Sequence, residues 1–335
     1  MSSPQSSVSI LLPFYEAAQT LKEAILSIRS QTYRNWELHL LNDGSTDAGP
    51  DIAQELSSMD SRIQLHHLSH GGIVNALNVG LERSNAPFIA RMDADDICHP
   101  QRLEKQVNYL EQNPKIGLVS CQVEHLASES SQQGYAEYVH WINSLMTPES
   151  IHLQRFVESP FAHPSVMFRR ELTNLHGGYR EGDFPEDYEL WLRWMEAGVQ
   201  MTKVPQTLLQ WRDLPNRMSR QDPRYRLEAF YRMKFQYLAK VLPKNIWVWG
   251  AGKTTRQRAA WLEEQGIHIE GYYDVDPKKV GDPQIGLVVK HYQNLPPPGQ
   301  IFLLVLTSVR GVRQKITSFL KNQGWAEGKD YLLGA

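Results

Sequence analysis

Between Val8 and Asp96 the sequence alternates short apolar, β-branched runs with amphipathic stretches, and this alternation limits the fold more than any other feature. "SVSILLPF" reads as a strand. "LKEAILSIRSQT" then sets Leu21, Ala24, Ile25 and Ile28 on one helical face. "WELHLLNDGSTD" is a second strand entering a turn rich in Asp, Gly and Ser, where Ser45, Thr46 or Asp47 is available to cap the helix "GPDIAQELSSM". "RIQLHHL", "GGIVNALNVGLERS" and "APFIARMDADD" repeat strand, helix and strand. This order predicts an α/β fold with a doubly wound, mostly parallel sheet. Such sheets take ligands at the carboxyl ends of their strands. Pro13, Asp43 and Asp93 all fall at such ends.

A chain of 335 residues is long for one hydrophobic core, so two domains are expected. Lys and Arg number 35 against 37 Asp and Glu, a net charge of -2. That balance supplies no basic field for a nucleic-acid backbone, and nucleic acid is not an expected partner. The two cysteines, Cys98 and Cys121, suggest no disulfide framework and point to a reducing cytoplasm. "MSSPQSSVSI" has neither the charged start nor the apolar centre of a secretion signal. The longest apolar runs, such as "IFLLVL", are far shorter than the roughly 18 residues of a membrane span.

Two acidic segments carry potential chemistry. "ARMDADDICHP" places Asp93, Asp95 and Asp96 directly after a strand. Oxygen ligands suit hard ions such as Mg²⁺ or Mn²⁺, which bind through one or two carboxylates plus substrate phosphates. The same turn also reads as a solvated or capping turn, and Asp96 as an acid for the N-terminus of the helix that follows. In "PEDYELW", Glu186 and Asp187 stand at a helix start, either complementing its dipole or offering a general base. His163, beside Pro164, reads as structural or as a ligand, and Arg91 as a nucleotide contact or a surface ion pair.

From about Trp211 to Leu242 the chain is rich in Arg and aromatic residues, read as a loop and an amphipathic helix. Arg217, Arg220, Arg224, Arg226, Arg232 and Lys234 form either a solvated face or a surface for anionic lipid headgroups. "NIWVWGAGKTTRQRAAWLEEQG" then restarts strand, glycine turn and helix. Gly250 and Gly252, with Asp274 or Asp276 at the next strand end, resemble the start of a dinucleotide (NAD) unit. The third glycine of that pattern would fall at Thr255, which favours a half-Rossmann module without cofactor.

The ordered motifs "SILLPFYE", "SIRSQTYRNWELHLLNDGSTD", "GGIVNALNVGL", "IARMDADD", "HPSVMFRR" and "EDYELWLR", over residues 7 to 220, resemble the family 2 glycosyltransferases, closest to bacterial members that extend surface polysaccharides. The resemblance implies the A-type nucleotide-sugar fold, a nucleotide-sugar donor with UDP favoured, a divalent metal, and inverting transfer to a saccharide or lipid-linked acceptor. It implies that Tyr15, after Pro13 and before Glu16, stacks on the base and that Asp43 hydrogen-bonds the uracil ring. Arg91 and Asp93 join this nucleotide set. Asp93 and Asp95 match the metal-binding D-x-D. Asp187 matches the catalytic base, with Glu186 supporting it. Two departures stand out. The usual double Asp is Asn42-Asp43, and "QWRDLPNRMSR" has Arg212 and Asp213 where many members carry a metal- or phosphate-contacting His. The expected organisation is a catalytic domain over 1–210, a connector over 211–243 and a smaller Rossmann-like α/β domain over 244–335. The expected location is the cytoplasm, free or at the inner face of the membrane.

Overall fold

The computed structural model describes residues 6–126, 133–214, 222–307 and 311–335. In chain order, the first elements are β1 (Val8–Phe14), α1 (Leu21–Arg29), β2 (Trp36–Asp43), α2 (Gly49–Met59), β3 (Ile63–Leu68), α3 (Gly72–Arg83) and β4 (Phe88–Arg91). There follow β5 (Ile97–Cys98), α4 (Arg102–Gln112), β6 (Ile116–Leu126), α5 (Gln133–Ser144), α6 (Pro148–Gln154), β7 (Met167–Arg169), α7 (Glu171–His176), α8 (Glu186–Glu196) and β8 (Gln200–Arg212). The remainder holds α9 (Leu227–Val241), β9 (Asn245–Trp249), α10 (Lys253–Glu263), β10 (His268–Asp274), β11 (Val289–His291), β12 (Leu303–Val305), α11 (Val312–Asn322) and β13 (Tyr331–Leu333).

The chain forms two compact units, residues 1–151 with 160–222, and residues 152–159 with 223–335. This division differs from a linear partition. Strand β8 carries the first unit through Arg212. The helix of the expected connector belongs to the second unit, where Tyr231 of α9 packs against Trp261 of α10. Arg217 and Arg220 lie outside the described residues. Lys234, read with them as part of a surface, is fully buried.

In the first unit eight strands run in the order β3-β2-β1-β4-β7-β6-β8-β5. The β3-β2-β1-β4 half is parallel, as the alternation predicts. β7 is antiparallel to both β4 and β6, while β6 and β8 pair in parallel. The residues expected on one face of α1, Leu21, Ala24, Ile25 and Ile28, are all buried. Helix α3 lies so close to the sheet that a methyl group on Gly80 would sit 2.7 Å from Leu41 Cδ1. A Cβ there would force the Leu41 and Leu11 side chains to move.

The acidic turn after β4 rests on a buried cation. Arg102 is 1% exposed, and its Nη2 donates to Arg91 O (2.8 Å) and Val166 O (3.3 Å). Its Nε donates to Gln106 Oε1 at 3.1 Å, and Gln106 donates onward to Ser165 O at 2.8 Å. Asp96 departs from expectation. Strand β5 and Pro100 delay α4 until Arg102, with Gln101 at its N-cap, so Asp96 does not serve that helix. Its buried carboxylate accepts instead from Arg212 N at 2.8 Å, tying the turn to the end of β8.

The second unit is a five-stranded, all-parallel sheet in the order β11-β10-β9-β12-β13. None of the described helices is long and apolar enough to cross a membrane. Replacing Arg102 with Met should lower unfolding stability by about 3 kcal/mol, because two buried carbonyls lose a charged donor. Urea unfolding should show a lower midpoint with an unchanged slope.

Candidate active site

The carboxyl ends of β1, β2 and β4 bring the expected nucleotide residues to one edge of the first sheet. Pro13 is buried within β1, and Tyr15 just beyond it is 49% exposed, its ring 4.4 Å from that of His70. Glu16 holds a positive φ of 50°. Its backbone N–H donates to Ser45 Oγ (3.1 Å), and its carboxylate accepts from Thr46 N (2.7 Å) and Thr46 Oγ1 (3.0 Å). Glu16 thus fastens the turn after β1 to the turn after β2.

Asp43 is buried, and its two oxygens accept from Gly71 N (2.8 Å) and Gly72 N (2.9 Å) at the start of α3. His70 Nδ1 lies 3.0 Å from the same carboxylate. A carboxylate at a helix N-terminus is favoured by the backbone donors and the dipole alike. At the departure, Asn42 Oδ1 accepts from Ser45 N at 2.9 Å and its Nδ2 lies 3.2 Å from His67 Nδ1. The N-cap position of α2 is Ala48, none of the three candidates; Asp47, one residue earlier, accepts from Gly49 N and from Ala18 N.

In the acidic turn, ligand oxygens of Asp93, Asp95 and Asp96 all lie within 4.8 Å of one another. Three carboxylates gathered at the end of a buried strand suit a hard divalent cation, which takes oxygen ligands and keeps room for water or phosphate oxygens. Arg91 is neither a surface residue nor an open nucleotide contact. It is 1% exposed, and its Nη2 donates to Asp93 Oδ1 at 2.6 Å while Nη1 donates to Met92 O. Burial under the turn makes it an orienting cation for Asp93.

Glu186 and Asp187 open α8 after Pro185. Glu186 is buried, whereas Asp187 is half-buried and accepts from Tyr188 N at 2.7 Å. Desolvation, the charge of Glu186 and the charge of Asp93 push the Asp187 carboxyl up to about 8. The reach of Asp93 to Asp187 brings the acidic turn and the start of α8 into one field. A carboxylate of raised basicity beside a cation-binding turn is equipped to take a proton from a hydroxyl.

The support around α8 was not expected from sequence. Glu189 binds Arg193 through Nε (2.9 Å) and Nη2 (3.0 Å), and Arg193 donates to Gly177 O and Gly178 O. Asn78 of α3 receives Tyr179 N (3.1 Å) and donates to Tyr179 O (2.9 Å). Tyr179 is buried, its phenol pushed up by desolvation and by the carboxylates Glu186, Asp187 and Asp93. His163 is structural: its Nε2 meets Tyr179 Oη at 2.8 Å, its ring packs on Trp191, and burial with Arg91 nearby pushes it well below its ordinary value. The signal for this shell was a mixture of polar residues on otherwise apolar helical faces, as with Arg102 and Gln106.

At the end of β8, Arg212 Nη2 pairs with Glu23 at 2.7 Å. Asp213 is fully buried and faces His125 Nε2 of β6 at 3.6 Å. The structure therefore supplies a histidine next to the position where the sequence motif has none, from a different strand. In the second unit, Gly250 (φ 102°) and Gly252, the N-cap of α10, make the expected strand-to-helix turn. The acid expected at a ribose is engaged locally: Asp274 accepts from Ala251 N (2.7 Å), Asp276 N (2.8 Å) and Lys279 Nζ (3.0 Å). That arrangement gives no support to an NAD site.

Comparison with known proteins agrees with the first unit. Residues 9–175 match the family described as glycosyl transferase family 2. An uncharacterized glycosyltransferase of Haemophilus influenzae is 32% identical over 61% of this chain, which spans 65% of that relative's length. The amylovoran biosynthesis glycosyltransferase AmsE of Erwinia amylovora is 30% identical over 60% of this chain and 74% of its own. The solved structure of S. aureus TarS 1-349 in complex with UDP-GlcNAc superposes with a TM-score of 0.53 at 14% identity, over 77% of this chain and 71% of that one, a likeness of fold. Motif order, sheet and relatives agree, and the chain belongs to glycosyl transferase family 2.

Proposed function

We propose that the protein is an inverting, metal-dependent glycosyltransferase that moves a sugar from a UDP-sugar to a hydroxyl of a saccharide or lipid-linked acceptor in surface polysaccharide synthesis. The observation that carries this reading is the gathering of Asp93, Asp95 and Asp96 oxygens within 4.8 Å at the end of β4, with Asp187, whose basicity burial, Glu186 and the charge of Asp93 raise, at the start of α8. Amylovoran synthesis in one relative and UDP-GlcNAc in a structural neighbour support the choice of pathway and base.

Tyr15, exposed at the end of β1, offers a face for the base, and Asp43 lines the same edge. Asp93 and Asp95 would hold Mn²⁺ or Mg²⁺, which neutralises charge developing on a departing diphosphate. Arg91 keeps Asp93 in place for that task. Asp187 accepts the proton of the acceptor hydroxyl as the hydroxyl attacks the anomeric carbon from the face opposite the diphosphate. Burial, and after it the charge of Glu186, raise the basicity of Asp187, so the proton is taken readily. One displacement inverts the anomeric centre and needs no covalent enzyme intermediate.

Proton NMR of the first-formed product should show the anomeric configuration opposite to the donor's; retention would contradict the mechanism. Asp187→Asn should lower transfer by about 10²- to 10⁴-fold while nucleotide-sugar binding persists. Stability separates a catalytic role from a structural one. The native Asp187 pKa lies above its ordinary value, so its contribution to stability is greatest at low pH and is lost as pH rises through about 8. Asp187→Asn should accordingly match or exceed the parent's melting temperature above that pH. A variant that is both active and less stable would remove Asp187 from the role. The parent's kcat/KM should rise with pH towards about 8.

A further inference from the structure

The carboxylate assigned to the uracil ring by resemblance is engaged within its own chain. Asp43 is 4% exposed, and three donors converge on its side chain: Gly71 N at 2.8 Å, Gly72 N at 2.9 Å and His70 Nδ1 at 3.0 Å. A carboxylate offers about four acceptor positions, so most of those on Asp43 are filled before any ligand arrives. What reaches solvent at this edge is a pair of rings. Tyr15 follows β1 and is 49% exposed. His70 lies between β3 and α3, and its side chain is 60% exposed.

The two ring centroids are 4.4 Å apart, with 32° between the planes. Rings lying side by side in one plane cannot come so close, so His70 lies over one face of Tyr15. No third ring fits between them, and the opposite face of Tyr15 is the one left for a base. Among the described residues, the Tyr15 hydroxyl makes no hydrogen bond and His70 is its one ring contact. The setting of the phenol ring therefore depends on the imidazole behind it.

His70 is itself held. Its Nδ1 lies 3.0 Å from the Asp43 carboxylate and 3.0 Å from the Asp43 carbonyl oxygen. Both oxygens accept, so Nδ1 carries a ring proton and donates. Its backbone is confined as well. Gly44, with a φ of 75°, approaches so closely that a Cβ on it would sit 2.9 Å from His70 N. A ring restrained at its nitrogen and at its backbone has little freedom left to lose on binding, which favours affinity. We propose that Asp43 and His70 form a relay that positions Tyr15 for the donor's base: Asp43 anchors the imidazole, and the imidazole backs the phenol ring. Asp43 then serves the base through two rings instead of by a contact of its own, and His70 is a positioning residue. The inference rests on the UDP-sugar reading above, with Tyr15 as the stacking face.

A double-mutant cycle in the full chain tests the relay. UDP and pyrophosphate are each titrated calorimetrically, with Mg²⁺, into the parent, His70→Ala, Asp43→Asn and the double variant. His70→Ala should weaken UDP binding about tenfold, the scale of a base stacked on an aromatic ring, and leave pyrophosphate, which has no base, unchanged. His70→Phe should recover part of the lost affinity, since a ring without a donor still backs Tyr15. The double variant should bind UDP as His70→Ala does, because the two residues act in one chain. Additive losses would overturn the relay and return Asp43 to direct contact with the base. Undiminished UDP binding in His70→Ala, or equal losses of UDP and pyrophosphate, would overturn it too. Should Asp43→Asn fail to fold, Tyr15→Ala replaces it in the cycle with the same expectation of non-additivity. A parent protein that binds pyrophosphate but gains nothing from the uridine of UDP would sink the UDP-sugar reading, and this inference with it.

Discussion

The first unit depends on positive charge buried beneath negative charge. Arg91 and Arg102, each 1% exposed, lie under the turn that gathers Asp93, Asp95 and Asp96. Three carboxylates within 4.8 Å repel one another, and water at the surface screens that repulsion only in part. Arg91 answers it directly on Asp93. Arg102 answers it through the backbone, holding Arg91 O and Val166 O so that β4 and the loop before β7 end in register. Asp96 completes the frame by drawing in the end of β8. The turn is thus built into the core, which fixes the positions of its carboxylates.

How much of this was legible in the sequence follows from how local each cause is. The β1 to β4 half was legible because strand and helix periods alternate cleanly there, and because Gly, Asp and Pro mark the ends. The antiparallel part was less so. β6 and β8 were not expected as strands: "IGLVSCQVEHL" and "QMTKVPQTLLQWR" mix polar and apolar residues without a steady period, and their pairing shifts register more than once. Their partners are distant in the chain, so no short window reveals them.

The site divides in the same way. Asp93, Asp95, Glu186 and Asp187 stood out as acids in short motifs. Arg102, Tyr179 and the Asp213–His125 pair did not, since each matters through a residue remote in sequence. Arg91 was visible, but its burial was not: a strand-end arginine looks the same in sequence whether it faces solvent or supports an acid. Asp96 was assigned to the nearest helix because capping is a local pattern. The actual partner, Arg212 N, lies 116 residues away.

In the proposed reaction, Asp93 and Asp95 would form a cation site completed by the donor's diphosphate. Calorimetric titration of UDP into the protein tests it most directly, once with Mn²⁺ and once in EDTA, repeated for Asp95→Ala. UDP binding should be strong with Mn²⁺, much weaker in EDTA, and equally weak under both conditions in the variant. Equal UDP affinity with and without Mn²⁺ in the parent protein would contradict it.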